Sequence, residues 1–255
     1  MKKTAKAAAL VAAMVLAAGL TACQKKDGAE ASGAAQKSAG TAKAAKAAKP
    51  TPVNEFCREL TEVAGGVRIL KYNGSAKNVV IPSEIEGLPV KIIDANAFNH
   101  NETMKSVIIP DSVEKIGGGA FNNCTALERV TLGNSVQVID YRDGVYGASG
   151  VFEGCTALKS ITIPDSVKKI GEYAFNGCTA LQSIIIPDSV EKIGELAFSD
   201  CTALKSVTLG NSVQEIGSMA FWLCTVLQSL TIPDSLQKIK FGGSVFEGTE
   251  LPLAT

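Results

Sequence analysis

The chain repeats itself. Aligned against itself, Ile109-Pro110-Asp111-Ser112-Val113, Leu132-Gly133-Asn134-Ser135-Val136, Ile163-Pro164-Asp165-Ser166-Val167, Ile186-Pro187-Asp188-Ser189-Val190, Leu209-Gly210-Asn211-Ser212-Val213 and Ile232-Pro233-Asp234-Ser235-Leu236 share one column, with a distant copy at Ile81-Pro82. The steps from Pro82 through Pro110, Gly133, Pro164, Pro187 and Gly210 to Pro233 are 28, 23, 31, 23, 23 and 23 residues. The unit is therefore 23 residues, and two steps carry insertions. A second column, Phe98, Phe121, Phe152, Phe175, Phe198, Phe221 and Phe246, keeps the same register apart from the insertions. Such a period predicts a solenoid, because one short unit buries its apolar side only by stacking on its neighbours.

One unit shows how a coil closes. In Leu158-Lys159-Ser160-Ile161-Thr162-Ile163 the apolar Ile161 and Ile163 alternate with Ser160 and Thr162, which marks a short strand buried on one side. Pro164-Asp165-Ser166 turns the chain, with Pro fixing φ at the second turn position and Asp bonding the backbone ahead. Val167 and Ile170 face inward, Gly171 permits a bend, and Ala174-Phe175 starts a short helical or 3-10 piece. The reading is an α/β solenoid of about seven coils, with short strand or helical pieces. The outward strand columns, such as Ser183 beside Ile185 and Ser206 beside Thr208, make a flat, mostly uncharged surface.

The repeated pattern L-x-x-[IV]-x-[IL]-P-x-x-[VL]-x-x-I-G-x-x-A-F-x-x-C resembles the treponemal, BspA-like class of leucine-rich repeat lipoproteins. The resemblance covers about residues 55–253, and it is specific because the Ala-Phe, Cys and Ile-Pro columns recur together. It implies a right-handed, curved solenoid with a parallel sheet on its concave face, formed by the outward strand columns. The stretch from Phe56 through Val67 to Pro82 resembles the opening segment of that family, which implies a strand pair capping the open end. Many members of the class are bacterial surface proteins linked to adhesion.

The N-terminus reads as an address. Met1 to Lys6 is a basic start, and Ala7 to Leu20 is an apolar run too short for a permanent membrane span. The run ends in Leu20-Thr21-Ala22-Cys23, which resembles a bacterial lipobox, so residues 1–22 form a signal and Cys23 carries the lipid. Gln24 after that cysteine favours the outer membrane by analogy with bacterial sorting rules. Residues 23–53 are a flexible Ala/Lys-rich linker, and 54–255 are the repeat domain with its cap.

Charge and cysteine usage narrow the function. Residues 23–53 hold six Lys against Asp27 and Glu30, whereas 54–255 hold 16 basic against 23 acidic residues. A repeat domain with excess acid is a poor partner for nucleic acid. Cys124, Cys155, Cys178, Cys201 and Cys224 occupy one repeat position. They form a ladder of buried thiols bonding backbone carbonyls, with rung-to-rung disulfides as the alternative; parallel stacking argues against good S–S torsions. Cys57 is expected to be a buried thiol of the cap. No CxxC pair, nucleophile motif or phosphate-cradling loop is present, and His100, the one histidine, falls at an outward turn position. Metal, cofactor and enzymatic activity are therefore not expected.

Residues the repeat does not need point to a binding patch. The insertion after Ile139 contains Tyr141, Arg142 and Tyr146, types enriched at contacts. Tyr173, Leu196 and Met219 stand just before the Ala-Phe pair in later units, and Trp222 and Leu223 follow the last of these pairs at positions elsewhere polar or Gly. Together they form the candidate patch, unless Tyr173, Leu196 and Met219 only fill space between coils. The leading expectation is a lipid-anchored envelope protein binding another protein, as an adhesin for host matrix or cell-surface proteins. The alternatives are a periplasmic binder of a small apolar or lipid-like ligand, with the Tyr141–Tyr146 loop as lid, and a purely structural envelope role.

Overall fold

In the computed structural model, residues 49–61, 65–141, 149–233 and 239–251 are described. The signal, Cys23 and most of the linker lie outside them. The chain enters through a 3-10 turn, Val53–Glu55. An antiparallel hairpin follows, β1 (Phe56–Thr61) with β2 (Gly66–Tyr72). Next come β3 (Asn78–Val80), β4 (Glu84–Ile85) and β5 (Leu88–Ile93). From there each coil supplies two short strands. These are β6 (Ser106–Ile108) and β7 (Lys115–Gly117), β8 (Arg129–Thr131) and β9 (Val138–Tyr141), β10 (Ser160–Thr162) and β11 (Lys169–Ile170), β12 (Ser183–Ile185) and β13 (Lys192–Ile193), β14 (Ser206–Thr208) and β15 (Glu215–Ile216), and β16 (Ser229–Thr231) and β17 (Lys240–Phe241).

Strands of equal rank pair in parallel from coil to coil. The Ser-x-Thr strands form ladders β3-β6-β8-β10 and β12-β14-β16, and the Lys-Ile strands form the longer sheet β1-β2-β5-β7-β9-β11-β13-β15-β17. Register follows the repeat, with Ile161 opposite Val130 and Ile170 opposite Ile193. The later half of the most extended sheet, β11 to β17, is thus built on two-residue strands whose sequence carries almost no strand signal of its own. Stacking supplies the hydrogen-bond partners that a pair of residues cannot find locally.

Each turn position has its own physical reason. The carbonyl of Pro164 accepts from Val167 N–H at 3.1 Å, and Pro187 and Val190 repeat this at 3.1 Å. Proline therefore stands first, not second, in the hydrogen-bonded turn, where its missing N–H costs nothing. In the coils that replace Pro-Asp by Gly-Asn, the Asn bonds back to the previous turn. Asp111 Oδ1 accepts from Asn134 N–H at 2.8 Å, and Asp188 Oδ1 from Asn211 N–H at 2.8 Å and Nδ2 at 3.0 Å. These bonds hold the exposed Asp188 carboxyl below its usual range, the backbone N–H contributing most. The first insertion is likewise a local device: Glu86 and Gly87 both have positive φ, and they join β4 to β5 in a two-residue hairpin.

The expectation of short helical pieces, and with it the α/β class, is corrected by the Ala-Phe segments. Among the described residues there is no α-helix, and the class is a β-solenoid. The reason is where the N–H groups go. Phe175 N–H donates to Ala197 O at 2.7 Å and Phe198 N–H to Ala220 O at 2.8 Å, so alternate donors point to the next coil and cannot close i to i−4 bonds. What remains is a run of tight turns stacked face to face.

Within the core run two ladders of identical side chains. Phe98, Phe121, Phe152, Phe175, Phe198, Phe221 and Phe246 stack at 4.7–5.6 Å between successive centroids, with 2–18° between ring planes. Phe56 and Tyr72 of the hairpin extend this stack beyond Phe98. Beside it the five repeat cysteines are free and buried. Each Sγ sits 3.1–3.2 Å from the carbonyl of the Phe one coil earlier, as Cys201 Sγ donates to Phe175 O. Cys57 differs from the free thiol expected: it is disulfide-bonded.

Candidate functional site

The Ala-Phe corner begins and ends in left-handed backbone. Two residues after each Phe, φ is positive in every coil: His100, Asn123, Gly154, Gly177, Asp200, Leu223 and Gly248. Two residues before it, φ is positive at Asn96, Gly119, Tyr173, Leu196, Met219 and Ser244. Gly and Asn accept this region readily, whereas a side chain such as Leu pays about 1–2 kcal/mol. The early coils meet the demand with Asn96 and Gly119. The later ones place Tyr173, Leu196 and Met219 there, and Leu223 repeats the mismatch at the far end of the corner.

This geometry brings most of the sequence-derived patch together. Leu196 N–H donates to Ser218 O at 3.0 Å and Tyr173 N–H to Glu195 O at 2.9 Å, so Tyr173, Leu196 and Met219 are in register on three successive coils. Trp222 N–H donates to Met219 O at 3.1 Å, which ties Trp222 and Leu223 to the same corner. Met219 is 39% exposed, and the other four are partly exposed. They are thus neither core filling nor fully projecting. The Tyr173 hydroxyl and the Trp222 indole N–H have no hydrogen-bond partner among the described residues. Of the insertion, Tyr141 ends β9, while Arg142 and Tyr146 lie outside the described residues.

Two other surfaces bear on function. The Ser-x-Thr ladders expose a file of hydroxyls interrupted by Ile185, which is 69% exposed. At their rim Glu128 lies between Lys105 and Lys159, 3.6 Å from each ammonium, and its carboxyl is held below the usual range by Lys159 and then Lys105. On the Lys-Ile sheet lies an open groove of about 290 Å³ lined by Lys169, Lys192, Glu215, Lys240 and Phe241 among others. Lys192 and Glu215 pair across it at 2.7 Å. Sequence reading missed this groove. Its one signal is Phe241, which occupies the inward Ile column yet is 49% exposed because no further described coil covers it. Among the described residues no three His, Cys, Asp or Glu side chains converge as metal ligands.

Comparison with known proteins matches residues 69–142 and 148–253 to the BspA type leucine rich repeat region, in six copies. The chain belongs to this BspA-type leucine-rich repeat family. Among solved structures it is similar to a leucine-rich repeat protein of T. pallidum, at 35% identity and a TM-score of 0.72 over 78% of this chain and 89% of that one. It also resembles leucine-rich repeat proteins of Bacteroides ovatus (26% identity, TM-score 0.58) and Eubacterium ventriosum (25%, 0.61), each over 79% of this chain. It spans 57% and 52% of those two chains. No curated protein matches. The BspA-type match breaks at residues 143–147, inside the insertion, and starts within β2, so β1 is added to the repeat. As a leucine-rich repeat protein the chain fits the role of a protein-binding module.

Proposed function

We propose that the chain is a lipid-anchored envelope protein whose repeat domain binds another protein, as an adhesin for host matrix or cell-surface proteins. The observation that carries this reading is the part-exposed row Tyr173-Leu196-Met219, held at positive φ beside Trp222. A backbone cost borne in three neighbouring coils to present large apolar side chains fits contact with a macromolecule that spans them. The small apolar ligand reading has weaker support, since the groove on the Lys-Ile sheet is open and lined mainly by charged residues and glycine. Enzymatic chemistry has no constellation to support it. The β1–β2 hairpin serves as the cap of the first coil, continuing the aromatic stack and pairing with β5.

Anchoring rests on the Leu20-Thr21-Ala22-Cys23 motif. Mass spectrometry of the mature protein should find an acylated N-terminal Cys23; an unacylated Cys23 overturns the anchor. Display is tested by protease treatment of intact cells with a periplasmic protein as control. Loss of the repeat domain while the control survives supports the adhesin, and survival until the outer membrane is opened overturns it.

A further inference from the structure

The last described coil exposes what stacking hides in the others. Phe241 and Ile232 are 49% and 41% exposed, and Leu230, Phe246 and Leu251 are part-exposed. Their counterparts one coil earlier, Ile216, Leu209, Val207, Phe221 and Leu227, are 0–1% exposed.

The backbone groups of this end face are divided by side. One coil earlier, the N–H groups of Met219, Phe221 and Leu223 donate to Gly243 O, Val245 O and Glu247 O at 2.8–2.9 Å. The equivalent N–H groups, those of Ser244, Phe246 and Gly248, have no acceptor among the described residues. On the Lys-Ile strand the direction reverses. Gln214 O and Ile216 O accept from Lys240 N–H at 2.9 Å and Gly242 N–H at 2.8 Å, so Ile239 O and Phe241 O are the groups left without a donor among the described residues. The Ala-Phe corner of the end face is thus a donor side and β17 an acceptor side.

Charge is divided in the same way. Lys240 stands on the acceptor side and Glu247 on the donor side, and both are exposed. Glu215, opposite Lys240 in register, is held by Lys192 at 2.7 Å. Glu250, the other described carboxylate of this coil, accepts from Gln228 Nε2 at 3.0 Å. Lys240 and Glu247 are left without an ion pair among the described residues. Asp234 and Lys238 of the same coil lie outside them.

We propose that this face joins a second copy of the chain, end to end about a two-fold axis. An axis lying in the face between its two sides turns the donors of each copy onto the acceptors of the other, and sets Lys240 of each against Glu247 of the other. The exposed apolar side chains then leave water, as their counterparts do in the inner coils. A second copy fits because the complement of this face is the face itself. The proposal goes beyond the adhesin reading and does not depend on it; protease treatment of intact cells tests that reading separately.

The mature chain is followed by sedimentation equilibrium in an excess of detergent micelles, so that lipid cannot hold two copies together. With rising concentration it should pass from monomer to dimer and no further. Hydrogen exchange at Ser244, Phe246 and Gly248 should be fast at dilution and slow as the dimer forms. Lys240→Glu and Glu247→Lys each place like charges together twice per interface, and each should weaken the dimer by about tenfold or more. Mixed with each other, the two variants should pair as the wild type does, and a chain carrying both changes should dimerise with itself. Each combination restores both opposite-charge contacts, which is a signature of the two-fold.

A chain still monomeric at about 0.1 mM overturns the proposal. So does a series of ever larger species, which marks head-to-tail stacking, or slow exchange of the three amides at every dilution, which marks cover by the chain's own remaining residues. A dimer indifferent to both charge reversals, or one that the mixture fails to restore, uses another surface or another symmetry and overturns it as well.

Discussion

At the scale of single residues, the cysteine column makes the most exact demand on its surroundings. Each thiol fills a space that a larger side chain would overpack, and donates weakly to a carbonyl of the previous coil. Burial pushes Cys124 and Cys224 up to about 12, and lifts Cys155, Cys178 and Cys201 well above the usual thiol value. The five should therefore resist alkylation at pH 8 in the native protein and all react in denaturant, as mass spectrometry after iodoacetamide would show. The same shifts set a pH limit. A thiol that stays protonated in the fold but ionises near 9 when unfolded contributes stability in full below pH 9 and loses it as pH rises toward 12. With five such groups protonated in the fold, chemical or thermal melts should show a steep alkaline collapse above pH 9. Replacing Cys201 with Ala should move that collapse to higher pH, while costing about 1–2 kcal/mol at neutral pH.

At the scale of the element, two glycines in neighbouring coils separate conformation from packing. Gly177 has φ +67° and an added Cβ would meet only Gly154 atoms at 3.8 Å, so Gly177→Ala should cost about 1 kcal/mol, the price of the left-handed region alone. Gly194 ends a Lys-Ile strand, and a Cβ there would lie 2.6 Å from the backbone N of Glu172. Gly194→Ala should cost well over the roughly 3 kcal/mol of ordinary overpacking, because backbone cannot yield as a side chain does; denaturant melts of the two variants decide this. Much of the coil was legible beforehand, since a 23-residue period says which residues become neighbours once stacked. The Phe and Cys ladders, the Ser-x-Thr strands and the Pro-Asp turns all follow from it. What escaped has a common cause. The Lys-Ile strands, the helix-free corner and the positive φ at Tyr173, Leu196 and Met219 are imposed by hydrogen bonds to the next coil, which no single unit encodes. The candidate patch was legible as a departure from the repeat, but its backbone cost was not, and neither was the groove beside Phe241.

At the scale of the whole molecule, a solenoid transmits stability only through nearest neighbours, so its ends and middle should respond differently to the same chemical change. At the first coil, Phe56 and Tyr72 of the hairpin continue the aromatic stack, and the Tyr72 hydroxyl donates to Glu55 Oε2 at 2.8 Å. In the last described coil, Ile232 is 41% exposed and Phe241 49%. Phe175, fully buried, stacks on Phe152 at 5.4 Å and Phe198 at 5.1 Å, whereas Phe246 is part-exposed and has Phe221 at 5.6 Å and the tilted, exposed Phe241 at 6.0 Å. Phe175→Ala opens a cavity in the middle of the stack and should cost about 3–5 kcal/mol, lowering the single unfolding transition as a whole. Phe246→Ala removes one side of one interface and should cost on the order of 2 kcal/mol, with the loss confined to β16 and β17. Hydrogen exchange reads the difference directly. In the wild type protection should be greatest between Leu158 and Val213 and fall toward β17. The Phe246→Ala chain should lose protection only in that last coil, and the Phe175→Ala chain should lose it throughout. Uniform loss in both would mean that the coils fold as one indivisible unit, and the nearest-neighbour account of this solenoid would have to be given up.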